Sequence, residues 1–230
     1  QAANWLMNLA PKDGTALHMV MQNMPAHQAL GGIGVQFDAR RFSWVGNTTD
    51  SPSVVNSWYT TGITSIEQVK TKELVVGAPG TATASVYYPM VMNALAGTKF
   101  KIVAGYPGGN DVNLAMERGE VGGRGSNTLA SWKSTRPQWL SENKIHILVQ
   151  VAQKRHPELL DVPLLTELVA NEDDRKVMAF ISADVAYARP VATTPDVPAE
   201  RVNALRRAFE ADRKSTRLNS SHVKRSRMPS

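Results

Sequence analysis

Short apolar runs of β-type composition alternate with helix-type segments along most of this 230-residue chain. The runs predicted as strands are 16–22, 42–46, 54–59, 74–78, 100–105 and 145–151. The segments predicted as helices are 65–70, 84–96, 111–118, 126–133, 164–170 and 199–210. Such alternation is typical of α/β layers with largely parallel strands. We therefore expect an α/β protein.

The residues at the segment ends support these boundaries. Thr64 stands three residues before Glu67, a capping-box spacing that predicts a helix start. Asn110 or Asp111 is expected to cap the helix that follows the strand at 100–105. Gly119 falls where a left-handed residue would end that helix.

The positive charge of the chain is concentrated at its C-terminal end. Residues 213–230 contain six basic residues and no acidic one. Removing these six from the 26 Lys and Arg leaves 20, which balances the 20 Asp and Glu. We predict that this Ser/Arg/Lys-rich tail is disordered. Because it resembles translated sequencing-adapter read-through, we interpret it as an artefact rather than as a nucleic-acid-binding arm, and we expect no nucleic-acid partner.

Composition excludes several kinds of catalytic or metal site. The chain has no cysteine, which excludes disulfides, thiol nucleophiles and thiolate-bound metals. No His-Glu-x-x-His motif and no Gly-x-Ser-x-Gly elbow occurs. The longest apolar runs, such as 145–151, are too short to cross a bilayer. We therefore predict no catalytic residue, metal or cofactor. Trp132 and Trp139 could line a pocket for a sugar or an amino acid, but we favour a core position for both.

Two predicted strands lead into loops rich in Gly, Thr and Pro, and each loop leads into a predicted helix. The first loop is Pro79-Gly80-Thr81-Ala82-Thr83 and the second is Tyr106-Pro107-Gly108-Gly109. Backbone N–H groups at a helix N-terminus favour anions, and ligands of open α/β sheets bind at the carboxyl ends of the strands. Neither loop is a phosphate-binding P-loop or a dinucleotide fingerprint. Two interpretations are open: the loops converge on one small carboxylate or phosphate, or they are ordinary strand–helix turns that need glycine.

Several motifs occur in an order that is found in one family. They read GTKFKIV (97–103), GYPGG (105–109), LAMERGEV (114–121), DVPLLTEL (161–168) and PDVPAERV (195–202), followed by LRRAF (205–209). These motifs resemble the Bug/TctC family, the substrate-binding proteins of tripartite tricarboxylate transporters. The likeness covers roughly residues 2–211.

The resemblance implies a non-catalytic periplasmic receptor with a type II periplasmic-binding-protein-like fold, often called a Venus flytrap. Two α/β lobes would close on a small organic acid, a carboxylate, and deliver it to the membrane components of the transporter. Lobe 1 would comprise residues 1–62 and 186–212, and lobe 2 residues 63–185. The family's opening strand and Gly-rich loop would precede residue 1, so we expect lobe 1 to be incomplete and the signal peptide to lie outside this sequence. The alternative is an α/β enzyme that acts on a small anionic metabolite.

The same resemblance assigns the ligand contacts to four stretches. Three belong to lobe 2, the third being a loop after Gly125, and the fourth follows the strand at 42–46 in lobe 1. The expected contact residues are Gly80, Thr81 and Thr83; Tyr106, Gly108 and Gly109; Ser126 and Asn127; and Asn47 and Thr48.

Overall fold

The computed structural model describes residues 1–48, 51–187 and 189–214, and divides the chain into two compact units. Unit 1 combines the two ends of the chain, up to residue 49 and from residue 187 onward; unit 2 is the continuous stretch 50–186. The chain therefore passes from unit 1 into unit 2 before residues 53–58, whereas the sequence analysis predicts that the first lobe continues to residue 62. The reason is that residues 53–58 form an inner strand of the unit 2 sheet. The tail is predicted to be disordered from residue 213, but Arg213 and Lys214 are the last residues of a helix that runs from Ala199 to Lys214. The rest of the tail, from 215 onward, lies outside the described residues.

The strands of the described residues are β1 (Leu17–Met19), β2 (Ser43–Asn47), β3 (Ser53–Trp58), β4 (Leu74–Ala78), β5 (Phe100–Ala104), β6 (Gly123–Thr128), β7 (Ile145–Val151) and β8 (Pro190–Thr193). The α-helices are α1 (Ala2–Asn8), α2 (Met24–Ala29), α3 (Ile66–Thr71), α4 (Ala84–Ala96), α5 (Gly109–Glu117), α6 (Leu129–Thr135), α7 (Pro137–Ser141), α8 (Glu172–Ser182) and α9 (Ala199–Lys214). The α/β class is confirmed. No helix in this part of the chain is long and apolar enough to cross a bilayer.

Unit 1 is built on an antiparallel sheet in the order β1-β8-β2. Its core contains Leu6 of α1, Met24 of α2, Phe42 and Ala192. The C-terminal helix α9 packs against β2. Gly46 permits this packing, because a Cβ atom there would lie 2.3 Å from the ring of Phe209.

Unit 2 is built on a mixed five-stranded sheet in the order β5-β4-β6-β3-β7. Strand β4 runs parallel to β5 and to β6, whereas β3 runs antiparallel to both β6 and β7. The prediction of largely parallel strands is therefore right for β4, β5 and β6 but wrong for β3 and for unit 1. Two consecutive parallel strands of one sheet must be joined by a crossover connection. No such connection precedes β3, because the chain comes to it directly from unit 1.

Helices cover both faces of the unit 2 sheet. Val54 and Val55, successive residues of β3, belong to different apolar clusters, as expected for side chains that alternate across a strand. One cluster includes Tyr88 of α4 and residues of α8; the other contains Trp132 and Trp139. Both tryptophans are almost fully buried, which confirms their core position.

Three local predictions are wrong. Residues 126–128 end strand β6 instead of starting a helix, and α6 begins only at Leu129. The segment predicted as a helix over 164–170 contains only a 3-10 turn, Leu165–Glu167. The capping box of α3 lies one residue later than expected: the Gln68 side chain accepts hydrogen bonds from the backbone N–H groups of Thr64 and Ser65.

The predicted start of α5 is wrong, whereas the predicted glycine after its end is confirmed. The residue that caps its start is Gly108, so Asn110 and Asp111 lie inside the first turn and do not cap the helix. Gly119 has a φ of 74°, which confirms the left-handed position after the helix.

Candidate ligand-binding site

The carboxyl ends of β4, β5 and β6 meet at one edge of the unit 2 sheet. Ala78 is paired with Ala104, so β4 and β5 end at the same level. Gly77 is paired with Arg124, so the last residues of β6 extend beyond that level. The two glycine-containing loops therefore lie side by side, and the backbone N–H of Gly105 donates to the carbonyl oxygen of Ala78 at 3.1 Å.

The first loop leads from β4 into α4 and contains Gly80, Thr81 and Thr83. Thr83 precedes the first residue of α4, and its hydroxyl donates to the carbonyl oxygen of Gly80 at 2.8 Å. The Thr83 side chain makes no capping hydrogen bond to the first turn of α4. The N–H of Val86 donates to the carbonyl oxygen of Thr83 at 2.9 Å, whereas the N–H groups of Ala84 and Ser85 come too early for a bond within the helix, so the start of α4 presents donors and a partial positive charge.

The second loop leads from β5 into α5 and contains Tyr106 and Gly108. Its backbone turns at Gly105, whose φ of 111° lies outside the range of ordinary side-chain-bearing residues. Gly108, the residue before α5, has no side chain that could cap the helix. Burial, and secondarily the negative charge of Glu120, raises the pKa of the Tyr106 hydroxyl above its ordinary value.

Ser126 and Asn127 lie within β6, not in a loop as the sequence predicts, and both are buried. The carbonyl oxygen of Ser126 accepts a hydrogen bond from the Ser85 hydroxyl at 3.2 Å, which ties β6 to α4. Asn127 is only 9% exposed, and its Nδ2 has no acceptor among the described residues. A buried donor without a partner costs about 1–3 kcal/mol, so an oxygen atom supplied from outside would stabilise this amide.

Arg124 is a residue at this edge that the sequence does not single out. It stands between glycines in Gly122-Gly123-Arg124-Gly125. Its Nη1 donates to the carbonyl oxygen of Gly109 at 3.3 Å and to Oδ1 of Asn113 at 3.1 Å. The only signal in the sequence is a lone arginine inside a glycine run, which by itself does not distinguish a ligand contact from a surface charge.

The carboxyl end of β7 lies at the same edge. Ser53 of β3 pairs with Thr128 of β6 and with Val151 of β7, so both strands end level with the start of β3. A cavity of about 320 Å³ follows β7, lined by unit 2 residues that include Gln153, Lys154 and His156. Lys154 and Arg155 therefore place basic side chains at the β7 end of this edge.

Asn47 and Thr48, the expected contacts from unit 1, are engaged with residue 189. Oδ1 of Asn47 accepts from the backbone N–H of Arg189 at 2.9 Å. The backbone N–H of Thr48 donates to the carbonyl oxygen of Arg189 at 3.2 Å. Both residues thus connect the end of β2 by hydrogen bonds to Arg189, the residue before β8.

The residues at the unit 2 edge are suited to holding an anion rather than a metal. They supply backbone N–H groups, hydroxyls, an amide and a guanidinium. Within the described part of the chain, no three His, Cys, Asp or Glu side chains are grouped so as to hold a metal ion.

Comparison with solved structures identifies the fold. MatC from Rhodopseudomonas palustris with bound malate matches 95% of this chain and 72% of its own, with a TM-score of 0.66 and 19% identity. An R. palustris protein with adipate matches 89% and 65%, with a TM-score of 0.64 and 19% identity. A TctC solute-binding protein from Polaromonas matches 94% and 69%, with a TM-score of 0.61 and 15% identity.

The chain has the fold of TctC-type solute-binding proteins. It spans between 65% and 72% of the length of these three structures. No protein-family model and no curated protein matches it. One of these structures is a TctC solute-binding protein solved without a ligand, and the other two were solved with malate and with adipate.

Proposed function

We propose that this chain is a periplasmic solute-binding receptor of the Bug/TctC family. It captures a small organic acid and delivers it to the membrane components of a tripartite tricarboxylate transporter. The observation that carries the proposal is the edge of unit 2 where the uncapped starts of α4 and α5 lie at adjacent strand ends. Proteins of the same fold have been solved with malate and with adipate.

The proposed contacts on unit 2 come from the two loops and from β6. Backbone N–H groups around Gly80, Thr81, Gly108 and Gly109 would bind carboxylate oxygens, as anions bind at helix N-termini. Thr83 and Tyr106 add hydroxyls, and Asn127 adds the buried amide donor. Ser126 acts through its tie to α4, and Asn47 and Thr48 are the proposed contribution of unit 1.

The test is thermal unfolding of the chain against a panel of organic acids that includes succinate, malate, adipate and citrate. A ligand present at 100 times its Kd adds about 2.7 kcal/mol to the free energy of unfolding, which raises Tm by roughly 5–11 °C for a chain of this size. We expect at least one carboxylate to raise Tm and to be recovered chemically unchanged. The matched control is the corresponding neutral diamide.

Two results would contradict the proposal. If no carboxylate raises Tm while a phosphorylated metabolite does, the ligand class is wrong. If the acid that binds is converted to a product, the chain is an enzyme acting on a small anionic metabolite.

A further inference from the structure

The cavity of about 320 Å³ that follows β7 is lined by three stretches of unit 2. These are residues 51–52, which lead into β3, residues 152–157, which follow β7, and residues 185–186 at the end of the unit. Half of the lining residues are apolar: Pro52, Ala152, Pro157, Val185 and Ala186. The charged ones are basic, and no Asp or Glu stands among the described residues that line it. The cavity therefore combines apolar walls with positive charge.

This cavity lies apart from the two glycine-containing loops. In the strand order of the sheet, β6 and β3 stand between β4 and β7. Neighbouring strands are about 4.8 Å apart, which places the ends of β4 and β7 roughly 14 Å from each other. An extended six-carbon diacid is only about 8 Å long between its outermost oxygen atoms. A diacid held between the two loops therefore leaves the cavity open to a second molecule.

The wall formed by residues 152–157 is held in place by Gln150, a fully buried residue of β7. Its Nε2 donates to the carbonyl oxygens of Leu159 and Val162 at 2.8 and 2.7 Å. Its Oε1 accepts from the backbone N–H of His156 at 2.8 Å. A wall that is fixed before a ligand enters loses little conformational entropy on binding.

Two side chains at the cavity offer hydrogen-bond donors that the described residues leave open. Lys154 is exposed, and its ammonium takes part in no hydrogen bond or ion pair within the described part of the chain. Nδ1 of His156 accepts from the backbone N–H of Glu158 at 3.3 Å, so in the neutral ring the proton lies on Nε2, which can donate. Arg155 differs from these two, because its guanidinium already pairs with Glu167.

The carboxylates of the same segment do not neutralise Lys154. Glu158 pairs with Lys133, and Glu167 pairs with Arg155. The positive charge of Lys154 thus remains beside the apolar walls. Ligand pockets of about 300 Å³ and more are commonly lined in this way, by apolar residues with a few polar groups that fix the orientation of the ligand.

We propose that this cavity is a second ligand site of unit 2, and that it takes a monocarboxylate with a compact apolar body of the size of benzoate. The carboxylate accepts hydrogen bonds from Lys154 and His156, and the body buries apolar surface against Pro52, Pro157 and Val185. The proposal goes beyond the receptor function, because it does not depend on which acid binds at the two loops.

The experiment measures the Kd of the full chain for benzoate, benzamide and acetate by calorimetry at low ionic strength. Benzamide keeps the apolar body without the charge, and acetate keeps the charge without the body. The variants are Lys154→Gln, His156→Phe and, as the matched control, Lys101→Gln. Lys101 is an exposed lysine of β5, the outer strand farthest from β7, and it also has no ion pair among the described residues.

We expect the wild-type chain to bind benzoate at least about fivefold more tightly than benzamide or acetate. Lys154→Gln should weaken benzoate by about fivefold, the upper end for an exposed ion pair, and should change benzamide by less than about twofold. His156→Phe removes one donor and should weaken benzoate by about three- to tenfold, and benzamide by less. Lys101→Gln should change each Kd by less than about twofold.

Two results of these titrations would overturn the proposal. One is that benzoate binds no more tightly than acetate, which would mean that the apolar walls take no part. The other is that Lys154→Gln and Lys101→Gln change the Kd for benzoate equally, which would mean that only the net charge of the chain matters.

A competition experiment separates this site from the one at the two loops. The benzoate titration is repeated with a saturating amount of whichever organic acid raises Tm in the thermal panel. An unchanged Kd for benzoate supports a second site, whereas displacement of benzoate by that acid overturns it. If no acid of the panel binds, the proposed function fails, but the titrations of the Lys154 and His156 variants still decide whether the cavity is a site.

Discussion

At the residue scale, Glu167 ties two segments of unit 2 together. Its carboxylate accepts hydrogen bonds from Nη2 and Nε of Arg155 at 2.7 and 3.2 Å. It also accepts from the backbone N–H of Leu164 at 2.8 Å. The Arg155 side chain is the main cause that lowers the pKa of Glu167 below its ordinary value, and burial only partly opposes this shift.

We predict that Glu167→Gln lowers the free energy of unfolding at pH 7 by about 0.5–1 kcal/mol, a modest value because both side chains are about 40% exposed. A carboxylate whose pKa is lowered by folding stabilises the protein above its unfolded pKa, and this contribution is lost as the pH falls through the folded pKa. The difference between wild type and variant should therefore shrink below about pH 4.5. Urea unfolding at pH 7, 5 and 3.5 measures it, with Glu172→Gln in the exposed Glu172–Arg175 pair as the control. A difference that stays constant with pH would contradict the prediction.

Individual site residues could be predicted from the sequence only where a loop signature marks them. Gly80, Thr83 and Gly108 follow apolar strands and precede helices, so their place at strand ends can be read from the chain. The position of Arg124 at this edge could not be found in this way, because it depends on Gly109, 15 residues earlier, leaving room for the guanidinium. Such a relation between two residues exists only once the sheet has formed.

At the scale of elements, prediction succeeded where one signal dominates a segment. The bounds of β4, α4 and β7 match the predicted ones, because each is a continuous apolar or helix-favouring run with clear end signals. Strand β6 is not predicted, because its sequence Gly-Arg-Gly-Ser-Asn-Thr has no β-branched residue before its last position and no alternation of apolar residues. It forms a strand because neighbours on both sides supply its hydrogen bonds.

The glycines of β6 have a low preference for strands, but one of them is needed for packing against α4. A Cβ atom on residue 125 would lie 2.0 Å from the backbone carbonyl oxygen of Ser85, so α4 can approach the sheet only at a glycine. We predict that Gly125→Ala lowers the free energy of unfolding by about 1–3 kcal/mol, since backbone atoms must move. Gly80→Ala is the control, because the atom nearest to a Cβ there, Cγ2 of Thr83, would lie at an ordinary contact distance of 3.8 Å. Denaturant unfolding of both variants tests this, and equal losses would contradict it.

At the scale of the whole molecule, the two units differ in how their chains are connected. Every strand of the five-stranded sheet, and both apolar clusters packed on it, come from residues 53–185. The unit 1 sheet instead places β8 between β1 and β2, so it needs chain segments from both sides of unit 2. A continuous segment with its own core has what a domain needs to fold alone, whereas unit 1 depends on the rest of the chain to join its parts.

We therefore predict that residues 51–186 fold cooperatively when they are expressed alone. The ring pairs Trp58–Trp139 and Trp132–Trp139, with centroids 4.6 and 5.5 Å apart, provide the measurement, because they give a near-ultraviolet circular dichroism signal only when packed. The isolated segment should retain this signal and lose it in a single urea transition together with the far-ultraviolet signal. Substituting Trp132→Phe should remove part of the near-ultraviolet signal while the transition remains. Secondary structure without that signal would mean that unit 2 needs unit 1 to pack, and the binding edge would then depend on both units for its geometry.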